Sequence, residues 1–120
     1  MKNGFIKVAA VTPALRVADC SYNANEIISI TNELTEKGTS LIVFPELSLT
    51  GYSCGDLFLT RTLPNKALSA LKKVLDETSK SEAVIIVGLP YLFGGKLYNC
   101  AAVCQSGSVL ALVPKTTVAD

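Results

Sequence analysis

Two ionisable residues stand where an apolar run gives way to a proline: Glu46 in Phe44-Pro45-Glu46-Leu47, and Lys115 in Val113-Pro114-Lys115. Proline cannot donate to a strand ladder, so each marks the place where a strand lets go. In an open α/β sheet, functional groups collect beyond the carboxyl ends of the strands. A carboxylate and an ammonium brought together there divide acid–base labour, the first taking a proton and the second stabilising an oxyanion. The competing account of the same positions is two surface charges at loop starts. The chain has no histidine, which excludes a Ser-His-Asp triad, a Cys-His pair and any His-ligated metal site within it. Chemistry must run on carboxylates, lysines, thiols or hydroxyls. Thiols stand at Cys20, Cys54, Cys100 and Cys104. No secretory signal accompanies them, since the apolar run from Phe5 to Val11 is short and broken by Lys7. Cys100 and Cys104 sit among small and β-branched residues, which places them on one face of a strand. A zinc site would need two further ligands, and Cys20 and Cys54 are scattered, so free buried thiols are the better reading.

The elements that must position these groups follow from hydrophobic period. Phe5 to Val11 reads as a strand. Asn23 with Glu26 three residues later resembles a capping box, and Ala24, Ile27, Ile28, Thr31 and Leu34 then recur at helical spacing up to Lys37-Gly38. Leu41 to Phe44 reads as a strand buried on both faces. A connection from Phe44 to Phe58 follows, long for a loop and too apolar and aromatic for a linker. Pro64 opens a second helix whose stripe is Ala67, Leu68, Leu71, Val74, Leu75 and Thr78. Ala83 to Leu89 is the third apolar strand. Tyr91 to Phe93, Gly94-Gly95 and Lys96 to Gln105 read as a hairpin, and Val109 to Val113 as a last strand after Ser106-Gly107-Ser108. The expected fold is α/β, with a parallel β-α-β-α-β start and an antiparallel tail.

Composition narrows the function classes. The 120 residues suit one domain. At 49% apolar and 18% charged, with mean hydropathy +0.40, intrinsic disorder is excluded. The apolar runs fall well short of the roughly 18 residues a spanning helix needs, so no membrane partner is expected. A net charge of +1 supplies no field for phosphate backbones, so no nucleic acid is expected either.

Phe44-Pro45-Glu46-Leu47 with Gly51-Tyr52 resembles the glutamate signature of the nitrilase, or carbon–nitrogen hydrolase, superfamily. The longer string from Pro45 to Leu57 resembles the amino-terminal glutaminase domain of bacterial glutamine-dependent NAD(+) synthetases. So do Gly4 to Ala10, Arg16 to Cys20, Gly88-Leu89-Pro90, Leu97 to Ala102 and Val113-Pro114-Lys115-Thr116. The resemblance implies part of an αββα four-layer sandwich, with both helices on one face of the sheet and the other face left for a missing half. It implies that residues 1–116 are the front of a glutaminase domain, while Thr117 to Asp120 departs from the family's pattern. Glu46 is then the general base of a Glu-Lys-Cys triad, Lys115 its electrostatic support, and Tyr52 a wall of the amide pocket. Glu46 and Lys115 are expected to approach closely enough to keep Glu46 ionised. The family's nucleophilic cysteine lies downstream, in a Cys-Glu-Asp type motif, and none of the four thiols here matches it. The chain is therefore expected to be the front portion of a larger protein and to be inactive alone. The implied substrate is glutamine. ATP with Mg, and deamido-NAD, belong to a synthetase domain outside this chain, and no cofactor or metal is expected within it. A cytoplasmic location and a homo-oligomeric full-length protein are implied as well. The alternatives are a nitrilase-type amidase with another substrate, or a non-catalytic α/β binding module such as a small flavodoxin-like domain.

Overall fold

A computed structural model describes residues 6–51 and 62–114. Seven elements follow in chain order: β1 (Val8–Ala10), α1 (Cys20–Glu36), β2 (Leu41–Val43), α2 (Thr62–Glu77), β3 (Val84–Phe93), β4 (Lys96–Gln105) and β5 (Ser108–Pro114). They build one sheet in the order β1-β2-β3-β4-β5. The β1–β2 and β2–β3 pairs are parallel and the β3–β4 and β4–β5 pairs antiparallel. The expected mixed sheet with a parallel start is the one observed.

Both crossovers step in the same direction along the sheet, so right-handed connections put α1 and α2 on the same face. There Ala24, Ile27 and Ile28 of α1 and Ala67, Leu71 and Val74 of α2 join Ile42, Ile85, Val87, Leu89, Ala102 and Cys104 in one core. A large aliphatic side chain buried there contributes about 1.5–3 kcal/mol. The opposite face carries Leu41, Val43, Val84, Ile86, Ala101 and Val103, all only half-buried. Leu41 to Phe44 therefore departs from the expected burial on both faces: Ile42 is fully buried against the helices while its two neighbours are not. Helices on one face and an antiparallel tail also rule out a doubly wound, flavodoxin-like module.

Several boundaries differ from the sequence reading. Among the described residues the first strand covers Val8–Ala10, and Phe5 lies outside them. Helix α1 starts a turn early, because Asp19 caps it by accepting from the Tyr22 amide at 3.1 Å. Asn23, read as the cap, lies inside the helix and is fully buried. Helix α2 begins at Thr62, with Pro64 in its first turn, where a missing N–H costs nothing. The third strand and the first hairpin arm are one continuous strand running through Pro90.

Candidate functional site

Glu46 is presented by a tightly tethered turn. Strand β2 ends at Val43, the Phe44 amide donates to Ile86 O at 2.9 Å, and Pro45 has no N–H with which to continue. The chain folds on itself from there. Ser48 N donates to Pro45 O at 3.1 Å, Thr50 N to Leu47 O at 3.1 Å and Gly51 N to Leu47 O at 2.9 Å. Leu47 takes a left-handed φ of 55° and is nonetheless buried, so packing holds a conformation that a branched side chain disfavours.

Two neighbours clamp this turn. On one side is β3, where Leu49 N donates to Gly88 O and Gly88 N donates to Ser48 Oγ, each at 3.0 Å. A Cβ at Gly88 would overlap Leu47 N and press on the Glu46 carbonyl carbon at 3.0 Å. Only glycine lets the turn lie this close to the strand. On the other side is Asn23 of α1. Its Oδ1 accepts from Arg16 N at 2.7 Å, and its Nδ2 donates to Arg16 O at 2.8 Å and to Leu49 O at 3.1 Å. A buried amide thereby ties the segment after β1 to the turn after β2.

Glu46 lines a cleft of about 330 Å³ on the open face of the sheet, together with Val43, Ile86, Gly88, Asn99 and Pro114. The Asn99 side-chain amide donates to Glu46 Oε1. Sequence reading did not single out Asn99. Its only signal was an amide inside a strand run, where Asn is depleted. Pro114, the residue before Lys115, borders this same cleft. Lys115 and Tyr52 themselves lie outside the described residues, as does Cys54, so the expected approach of Lys115 to Glu46 is not among the observed contacts.

Of the described thiols, Cys100 borders the Glu46 cleft while packing into the core on the helix side. Cys20, Cys100 and Cys104 are buried. Burial raises the Cys100 thiol above its ordinary value and pushes Cys104 up to about 11. A cavity of about 630 Å³ between the starts of α1 and α2 is larger than the Glu46 cleft, but its charged lining is Asp19, Lys66 and Lys73 around solvent. Volume alone does not choose the site. Among the described residues no three His, Cys, Asp or Glu side chains gather as metal ligands, and no helix is long and apolar enough to cross a membrane.

Comparison with known proteins bears on the same residues. A glutamine-dependent NAD(+) synthetase from Mycobacterium bovis is 35% identical over 115 residues, which are 96% of this chain and 17% of that protein. One from Acinetobacter baylyi is 34% identical over 119 residues, again 96% of this chain and 20% of the relative. The chain thus spans about one fifth of the length of these curated relatives. Among solved structures, a glutamine-dependent NAD(+) synthetase from Cytophaga hutchinsonii superposes with a TM-score of 0.87 at 25% identity, covering 96% of this chain and 20% of that one. An amidase from Nesterenkonia sp. shares the fold, with a TM-score of 0.78 at 20% identity, over 100% of this chain and 46% of its own. The family model for carbon–nitrogen hydrolases matches residues 7–117. That match spans both clamps on the glutamate turn and the cleft beside it, and the chain belongs to the carbon–nitrogen hydrolase family.

Proposed function

We propose that this chain is the glutamate-bearing part of a glutamine-hydrolysing domain of an NAD(+) synthetase, with Glu46 as general base. The observation that carries the reading is the clamped turn that delivers Glu46 into an open-face cleft beside Asn99. The run of NAD(+) synthetase relatives supports the substrate class.

Glu46 takes the proton of a cysteine thiol, and the thiolate attacks the side-chain amide carbon of glutamine. Lys115 stabilises the oxyanion of the tetrahedral intermediate, and Tyr52 shapes the amide pocket. Glu46 returns its proton to the departing ammonia, leaving a thioester. Water, deprotonated by Glu46, then attacks the thioester carbon; the C–S bond breaks, glutamate leaves, and Glu46 returns the proton to the cysteine sulfur. Cys100 and Cys104 are buried with raised proton affinity, which disfavours them as the nucleophile, and the reading assigns that role to a cysteine downstream of Lys115. The ammonia serves amidation of deamido-NAD in a synthetase domain. ATP and Mg would act there, since the described residues of this chain offer no metal-ligand cluster for them, and no step here runs through that group. The reading places the protein in the cytoplasm.

The test is ammonia release from glutamine. The 120-residue chain alone is expected to show no steady turnover. A longer protein that carries the nucleophile is expected to turn over and to lose activity by several orders of magnitude on Glu46→Gln or Lys115→Ala. Steady turnover by the short chain, or a longer protein indifferent to Glu46→Gln, overturns the reading. Hydrolysis of simple amides but not of glutamine would leave the base in place and change the substrate.

A further inference from the structure

We infer that Asn99 is a positioning residue for Glu46, holding one carboxylate oxygen so that the other is presented to the cleft in a fixed orientation. Asn99 sits inside a ten-residue strand and is only 4% exposed. A buried amide in such a strand needs a polar partner, and the partner its nitrogen meets is Glu46 Oε1. An ionised carboxylate only accepts hydrogen bonds, so the amide must turn its N–H towards it.

The sheet register explains how residues so distant in sequence meet. Asn99 pairs with Pro90, and Gly88 pairs with Ala101, which makes Gly88 the diagonal neighbour of Asn99 on the open face. Because Gly88 has no side chain, the backbone of Pro45 and Glu46 lies directly over β3. Asn99 reaches it from the adjacent strand, about 4.8 Å away. Any side chain at position 88 would stand between the two. Among the described residues lining the cleft, Glu46 is the only carboxylate and no lysine or arginine is present; the other titratable group is the Cys100 thiol, which β4 directs toward the helices. A donated N–H favours the ionised carboxylate, so Asn99 contributes to its direction and to its readiness to accept a proton.

Resting as it does on Glu46 being the base, the assignment is tested in the longer, glutamine-hydrolysing protein with Glu46→Gln as control. Asn99→Leu removes the donor. Asn99→Asp keeps the shape and replaces the donor with a repelling acceptor. Both are expected to lower kcat by ~10–100-fold with KM changed less than ~3-fold, because the loss falls on the chemical step. The acid limb of the pH–rate profile should move to higher pH, because the ionised carboxylate loses a donor, and Asn99→Gln should recover part of the rate. In the unmutated 120-residue chain, the Asn99 side-chain amide signals in ¹⁵N NMR should shift as Glu46 titrates. Folded Asn99 variants with an unmoved acid limb and unchanged kcat overturn the assignment, as do amide signals indifferent to that titration. If Glu46→Gln itself stays active, the base reading falls instead.

Discussion

Cys100 and Cys104 lie four residues apart on one side of β4, with their side chains against the helix layer, as their spacing in a strand requires. Burial favours the neutral thiol, most strongly at Cys104, which is held up to about 11. At pH 7 neither therefore offers much thiolate. Iodoacetamide at neutral pH is expected to leave both unlabelled in the folded chain and to label both in urea, as mapped by peptide mass. Rapid native labelling of Cys100 would return a thiol to consideration beside Glu46. The linkage sign follows. The unfolded chain gives up these protons near the ordinary 9.0 and the folded chain only higher, so between pH 9 and about 11 the unfolded state binds fewer protons and stability falls with rising pH. The apolar run and proline before Glu46 marked it as a candidate, while its role as base was given only by the family resemblance. Asn99 was not marked, because the group that gives its amide a purpose lies in the turn after another strand, and no local pattern announces a partner reached through a glycine gap. Asn23 was misread for a related reason. An Asn three residues before a Glu has the form of a helix cap, yet Asp19 was close enough to take that role and free the amide for the loops.

At the scale of elements, α1 acts on the site through that one side chain. Three hydrogen bonds join Asn23 to Arg16 and Leu49, and Ala18 N adds a bond to Thr50 O at 2.6 Å between the same two segments. Asn23→Ala strands buried backbone groups of both loops, at about 1–3 kcal/mol for such groups. A lowered urea midpoint is expected, with kcat of the longer protein in the proposed glutamine assay reduced beyond what the unfolded fraction explains. A variant of wild-type stability would show that the segment after β1 does not brace the glutamate turn. The order and type of elements were legible because helical and strand periods were strong in Ile27 to Leu34, Ala67 to Leu75 and Ala83 to Leu89. The continuity of β3 was not, since a proline at 90 normally argues against a strand. The reason it is tolerated is geometric. Gly88 turns its N–H and carbonyl away from β4 towards the glutamate turn, and Pro90, two residues on, faces the same side. Pairing with β2 has already ended there at Val43 and Ile86, so no ladder bond is lost.

At the scale of the molecule, the described residues dress one side of the sheet with helices and leave the other side bare. Val8 on the first edge strand is 56% exposed and Val113 on the last 53%, with half-buried Leu41, Val43, Val84, Ile86 and Val103 between them. A contiguous apolar surface of this kind marks an interface. The isolated chain is expected to bind an apolar dye such as ANS and to associate with rising concentration. Val113→Lys with Val8→Lys should weaken both while leaving the helix-side core intact by circular dichroism. A monomer that ignores the dye at all concentrations would show that this face is covered. The bare side was only half legible: apolar strands announce burial on two faces, but not where the second cover comes from. The clamps on the glutamate turn carry a kinetic consequence. Gly88 meets Ser48 across 40 residues of chain, and Asn99 meets Glu46 across 53. None of these bonds can form until the crossover through α2 has closed and the hairpin has docked, and closing such loops costs entropy before any contact repays it. The carboxylate is thus among the last groups to find its place as the chain folds and among the first to lose it when β3 and β4 separate. Competence at this site is a late and reversible acquisition of the folding reaction.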